Sequence, residues 1–405
     1  MSATKSDRRK SFVLLKFLLF AGFFLIGITT VLIGQILPLL ASRLSLNDNE
    51  AGYLFVAQFA GSLAGTLLAN SFVRRAGFPV VLLVGFALAA TGVASLSTNS
   101  LFVCLAAFVL IGGGIGLTIP SINLLTVRLN PEKTSSALNF INFLWGFGAI
   151  LCKPFVDFFR GGAADDNNIL LPTLILAAFL LLVGSIIGFS PAQIDEKIKN
   201  DEDSSAPSFR IWTTSTAWLI AAFNFLHIGL ETGIGGWITT YAARLQGANR
   251  NSFELFSAAS VFFLFLVAGR GFAPFLLRFL SDNALLLASL LTLLAGISLL
   301  LAAEDFLLLQ TGAAVAGFGS ASIFPTNMSR FVKIFGAENA ARRATPLFVA
   351  GTLGGALTSY SIGFVSAKFN NLRLGMFILL AGCAVLIVVQ IVLSTRGKTS
   401  VDNGN

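Results

Sequence analysis

Charge is scarce in this chain. Only 11% of its 405 residues are Asp, Glu, Lys or Arg, against about 25% in an ordinary soluble domain. With nineteen acidic residues in all, a soluble globular enzyme is excluded. Histidine occurs once, at His227, so no histidine cluster can bind a metal. The three cysteines, Cys104, Cys152 and Cys383, all fall in apolar runs and lack metal-ligand spacing. They read as free buried thiols, which behave as small hydrophobes. The sequence has no GxSxG, no HExxH and no P-loop lysine motif. No catalytic activity, metal, cofactor or ATPase function is therefore expected.

What the chain has in quantity is apolar surface. It is 55% hydrophobic with forty phenylalanines, and its mean hydropathy is +0.84. About 20 apolar residues span a bilayer core. On that ruler there are twelve runs, at about 12–41, 51–73, 79–97, 101–127, 134–159, 169–190, 213–243, 252–277, 283–302, 305–332, 344–367 and 371–395. The first follows basic residues but is too long for a signal-peptide core, so a retained helix is expected. The polar, proline-bearing stretch 191–212 reads as a cytoplasmic linker. It separates an N-terminal bundle (1–190) from a C-terminal one (213–395), with a tail at 396–405. The expected fold is an all-α membrane protein, twelve transmembrane helices in two pseudo-symmetric six-helix bundles.

The net charge of +8 does not point to nucleic acid. Lys and Arg cluster in alternate short loops, at Arg8–Lys10, Arg74–Arg75, Arg128–Lys133, Lys197–Lys199, Arg330–Arg343 and Arg396–Lys398, and are sparse between them. That is the positive-inside pattern, with both termini in the cytoplasm. Short loops favour a bacterial inner membrane, and a monomer in the lipid bilayer is expected.

The two halves echo each other. Gly65 is followed by Asn70 and Arg74, as Gly269 is by Pro274 and Arg278; GGGIGLTIPSIN ends in Pro120 and Asn123, as GFGSASIFPTN ends in Pro325 and Asn327. Interrupted helices in matching positions mark the binding region of transporters built from repeats. The runs GGGIG and GTLGG have no strand–turn–helix context, so they read as surfaces for close helix packing.

One carboxylate lies deep in an apolar run. Glu231 sits about 20 Å along its helix from the interfacial Trp218, and an acid at that depth costs roughly 2.5 kcal/mol or more to insert. His227 precedes it by four residues, which shares one helix face, and Asn224 extends the stripe. Glu231 is expected to accept substrate hydrogen bonds, to cycle a proton with His227, or to serve as a structural carboxyl that His227 orients. Gln35, Asn123, Asn139, Asn142 and Asn327 offer donors and acceptors for a polar substrate, or glue helices together. Trp145 and Trp237 are candidates for stacking on the apolar face of that substrate. Lys153 and Asp157 form an i, i+4 pair, either a structural salt bridge or a gate. Arg270 is expected to snorkel to the cytoplasmic interface or to act, like Arg74 and Arg278, in gating.

The spans, the charged middle loop and the glycine–arginine turns resemble the major facilitator superfamily over the whole chain. IGQILPLLASRL, ALNFINFLWGFGAI, HIGLETGIGGWITTYAARL and SIFPTNMSRF resemble helices 1, 5, 7 and 10 of its fucose:proton symporter branch, which includes hexose transporters. The resemblance implies alternating access, a hexose or similar polyol as substrate, and a proton or sodium as coupling ion. The branch's acids in helices 1 and 4 are Gln35 and Ile119 here, and its loop aspartate is Ala69 or Asn70. Any coupling must therefore fall on Glu231. An efflux pump for apolar or cationic compounds, and a non-transporting membrane sensor, are the alternatives.

Overall fold

The computed structural model describes residues 5–160, 168–189, 211–246, 257–336 and 344–402. The greater part of the predicted linker 191–212 lies outside them. The described residues form long helices and no strand. They are α1 (Lys5–Leu44), α2 (Asp48–Ser95), α3 (Leu101–Leu129), α4 (Thr134–Arg160) and α5 (Leu170–Gly188), then α6 (Ser215–Gln246), α7 (Ala258–Leu276), α8 (Asp282–Ala302), α9 (Phe306–Ser320), α10 (Ile323–Phe335), α11 (Thr345–Phe369) and α12 (Leu372–Asp402).

Among them are eleven helical segments long and apolar enough to cross a membrane. One of these, α2, holds two crossings. Its 48 residues extend about 72 Å at 1.5 Å per residue, more than twice a hydrocarbon core of about 30 Å. The arms meet at Gly77, whose φ of 78° is comfortable only for glycine. Pro79, two residues on, has no N–H to give a helical hydrogen bond. A twelfth crossing follows, as the apolar runs predict.

The helices start where the sequence supplies caps. Asn47 and Glu50 form a reciprocal capping box at α2, with hydrogen bonds of 2.9 and 3.0 Å, satisfying two otherwise orphan donors. Ser257, Ser281 and Asp305 accept from the third backbone N–H beyond them at α7, α8 and α9.

The chain divides into two compact units, Met1–Ser45 with Tyr53–Ser205, and Leu46–Gly52 with Ala206–Asn405. The first turn of α2 groups with the second unit. There the carboxylate of Asp48 is held by Arg244 (Nη1–Oδ2 2.8 Å) on α6 and by Ser366 on α11.

Each unit is built on close helix approaches, and the pairs correspond. In the first, Gly27 and Gly148 seat α1 against α4, backbone to backbone. In the second, Gly354 of the GTLGG run seats α11 on Phe225 of α6. The GGGIG run packs α3 against both arms of α2: Gly112 meets the backbone at Gln58, and Gly114 the backbone at Gly85. Likewise Gly317 seats α9 on Phe262 of α7, and Gly319 seats it on Leu293 of α8. A Cβ at these positions would overlap backbone atoms, so only glycine permits the approach. The halves differ around their matching prolines. Helix α3 runs unbroken through Pro120, whereas its counterpart breaks into α9 and α10 at Ala321 and Ser322, just before Pro325.

Candidate functional site

Helix α6 carries Glu231 near its middle, and the second unit builds a polar cluster around it. Three side chains approach a single oxygen, Oε2. His227, one turn earlier on α6, places Nε2 at 3.5 Å. Arg270 on α7 places Nη2 at 3.8 Å. Ser320, the last residue of α9, donates its hydroxyl at 3.4 Å. The α9–α10 break lies directly after Ser320. Glu231 is 14% exposed, His227 1% and Arg270 29% by side chain, so the cluster is largely enclosed. Oε1 of Glu231 takes none of these contacts and is not among the sealed unpaired atoms. Nδ1 of His227 and Nε of Arg270 are sealed without a hydrogen-bond partner, and Nε2 of His227 has only its long contact to the carboxylate.

The structure thus joins Glu231 and His227 as their spacing predicts, and adds two residues. Arg270 turns toward Glu231 instead of snorkelling away from it. Residue 270 lies about 9 Å, six residues, short of the end of α7, so its guanidinium remains within the helix bundle. Ser320 is one serine among many and gives no signal in sequence.

Asn224, Asn327 and Trp237 each donate to a backbone carbonyl, while Oδ1 of Asn224 and of Asn327 stays buried without a partner. Nδ2 of Asn224 donates to the Leu347 carbonyl of α11 at 2.8 Å. Nδ2 of Asn327 donates to the Ile220 carbonyl of α6 at 3.4 Å. Trp237 is fully buried, with Nε1 donating to the Ser359 carbonyl at 2.9 Å. The ring of Trp237 therefore presents no exposed face in this arrangement of the helices.

In the first unit, Gln35 on α1 is buried. Asn123 on α3 is half-buried, and its Nδ2 is spent on the Ile119 carbonyl one turn back, at 3.0 Å. Helix α4 exposes Asn139 and Asn142, and Nδ2 of Asn142 donates to the Leu138 carbonyl at 2.8 Å. Trp145 is half-buried, its Nε1 3.4 Å from the Thr30 hydroxyl of α1. Lys153 and Asp157 form an ion pair on α4, with Arg160 Nη1 at 3.9 Å from the other Asp157 oxygen. Arg74 and Arg278 are exposed.

Two further polar groupings were not legible as such in the sequence. Arg330 on α10 is 9% exposed and donates to Asn283 of α8 at 3.0 Å and Gln390 of α12 at 2.8 Å. A cavity of about 620 Å³ is lined by Asp48, Arg244, Lys368 and Asn370 among others. Arg244 lies thirteen residues beyond Glu231, about 20 Å along α6, so this cavity is separate from the Glu231 cluster. Among the described residues no group of acids, histidines or cysteines is arranged to hold a metal ion.

The model of the Major Facilitator Superfamily matches residues 19–344. The glucose/mannose transporter GlcP of Bacillus subtilis is 26% identical over 391 residues, covering 92% of this chain and 93% of that protein. Among solved structures, a form of the nucleoside transporter NupG superposes with a TM-score of 0.76 at 14% identity, covering 95% of this chain and 99% of that one. A form of the Escherichia coli fucose:proton symporter FucP superposes with a TM-score of 0.62 at 19% identity, over the same shares of the two chains. At those identities the structural likenesses establish the fold.

Proposed function

This chain belongs to the Major Facilitator Superfamily, and on that premise we propose that it is a secondary transporter of a small polar solute, a hexose or related sugar, coupled to a proton through Glu231. It is an integral membrane protein and not an enzyme. The observation that carries the reading is the Glu231 cluster. A carboxylate in an apolar span is held by one oxygen against His227, Arg270 and Ser320, with the other oxygen left unsealed. Intramembrane acids of this kind mark substrate and proton pathways. GlcP, named for glucose and mannose, aligns over nearly the whole chain, which favours a hexose over other polar solutes. The proton assignment rests on Glu231, an intramembrane acid able to carry one; relatives named sodium-dependent glucose transporters make sodium the competing ion.

In this reading Glu231 binds solute hydroxyls and carries the proton, and His227 orients it. Asn139, Asn142 and Trp145 on α4 contact the sugar, and Gln35 and Asn123 complete their unit's polar lining. Asn224, Asn327 and Trp237 hold α6 in place. Lys153 with Asp157, and the exposed Arg74 and Arg278, serve gating. The protein works as a monomer in a bacterial inner membrane with both termini cytoplasmic, through two bundles joined by the 191–212 linker.

Counterflow tests the reading directly. Purified protein in liposomes preloaded with unlabelled D-glucose is expected to draw in labelled D-glucose, faster than protein-free liposomes do. Absence of counterflow with every hexose tried would remove the hexose assignment.

A further inference from the structure

The Glu231 cluster is chemically incomplete. Nδ1 of His227 and Nε of Arg270 are sealed and lack hydrogen-bond partners, and Nε2 of His227 meets only the carboxylate, at a long 3.5 Å. Buried polar groups are ordinarily paired, and a half-satisfied network in a packed interior is costly. Arg270 Nη2 stands 3.8 Å from Glu231 Oε2, beyond the roughly 2.7–2.9 Å of a charge-assisted hydrogen bond. The guanidinium is therefore beside the carboxylate without being locked to it, and part of it is exposed. Oε1 of Glu231 also stands free of the three contacts. An acceptor and a set of donors thus lie side by side, each with capacity unused.

Charge decides what fits. Neither Glu231 nor Arg270 makes an ion pair with any other charged side chain among the described residues, apart from the His227 contact. The carboxylate and guanidinium cancel each other. An anion would have to displace Glu231 from Arg270, and a cation would have to sit against the guanidinium. A neutral solute with adjacent hydroxyls meets both demands, since each hydroxyl both donates and accepts. One hydroxyl donates to the carboxylate while its neighbour accepts from the guanidinium fork, whose planar donors suit paired acceptors.

We propose that Arg270 contacts the substrate, and that Glu231 and Arg270 together clamp two neighbouring hydroxyls of a neutral sugar. The proposal rests on the hexose-transport reading and narrows it. The site takes neutral polyols and rejects sugar acids, sugar phosphates and amino sugars.

The test uses the full chain in liposomes, with D-glucose and its 2-, 3-, 4- and 6-deoxy analogues competing for glucose counterflow. In the wild type, removing either of two adjacent hydroxyls is expected to weaken competition about tenfold or more, the loss of one hydrogen bond to a charged group. In Arg270→Gln, the penalty at one of those two positions is expected to collapse while its neighbour's persists. D-glucuronate and D-glucosamine are expected to compete about tenfold or more worse than glucose. Identical deoxy profiles in wild type and variant would overturn the clamp, as would glucuronate competing as well as glucose. If Arg270→Gln does not purify as a monodisperse protein, Arg270→Met removes the donors and keeps much of the side chain's length, and the same collapse is expected. Wild-type protein without glucose counterflow would instead overturn the hexose reading beneath it.

Discussion

Arg270 on α7 and Glu231 on α6 approach to 3.8 Å between Nη2 and Oε2, inside segments apolar enough to cross a membrane. Opposite charges at that depth neutralise each other, which lowers the cost of keeping either one there. The contact is loose, and His227 and Ser320 meet the same oxygen. Glu231 therefore has partners for its ionised form while retaining an unsealed oxygen.

Glu231→Gln removes the titratable group and keeps the shape. The variant is expected to lose concentrative sugar uptake driven by a proton gradient while retaining energy-independent counterflow. Uptake against a gradient at the wild-type level would end the coupling role of Glu231.

Asn224 shares the helix face of Glu231, but its amide is committed to the Leu347 carbonyl. Asn224→Ala is expected to lower stability by about 1 kcal/mol and to leave sugar affinity unchanged. Thermal unfolding in detergent and counterflow competition measure the two effects. A large affinity loss with stability intact would move Asn224 into the binding site.

The two tryptophans are expected to separate. Trp237 is fully buried with its indole N–H satisfied by Ser359, so Trp237→Ala should destabilise the fold by about 3–5 kcal/mol. Trp145 is half-buried, so Trp145→Ala should weaken sugar affinity with a much smaller shift in unfolding temperature. Unchanged affinity in Trp145→Ala would remove the stacking role.

Arg330 is a stability residue in this account. Its two hydrogen bonds join α10 to α8 and α12 through Asn283 and Gln390. Bonds from a buried charged donor are worth about 1.5–3 kcal/mol each. Arg330→Ala is expected to lower the unfolding temperature markedly, with sugar affinity of the surviving protein unchanged, as followed by unfolding and competition on one preparation.

The crossings were legible because hydropathy over a bilayer's thickness is a strong signal, and Glu231 stood out because a charge in such a run is rare. Depth along a helix can be counted from sequence; the direction a side chain faces cannot be. Arg270 illustrates this: its place near one end of α7 suggested an interfacial role, and the packing of α7 against α6 and α9 turned it toward Glu231. Asn224 and Trp237 show the converse. Both share a helix with Glu231, and both are bound to backbone carbonyls of α11, partners more than a hundred residues away that no local pattern reveals. Gly77 was legible: the boundary between two apolar runs falls there, and the structure breaks the helix at that residue.

The carboxylate of Glu231 has two unlike ends. The closest approaches of His227, Arg270 and Ser320 all fall on Oε2. A half-turn of the carboxylate only exchanges two equivalent oxygens and restores the same contacts, so the group always presents one contacted oxygen and one open one. Whatever arrives, a hydroxyl, a water or a proton, therefore meets the carboxylate from the side away from its three partners.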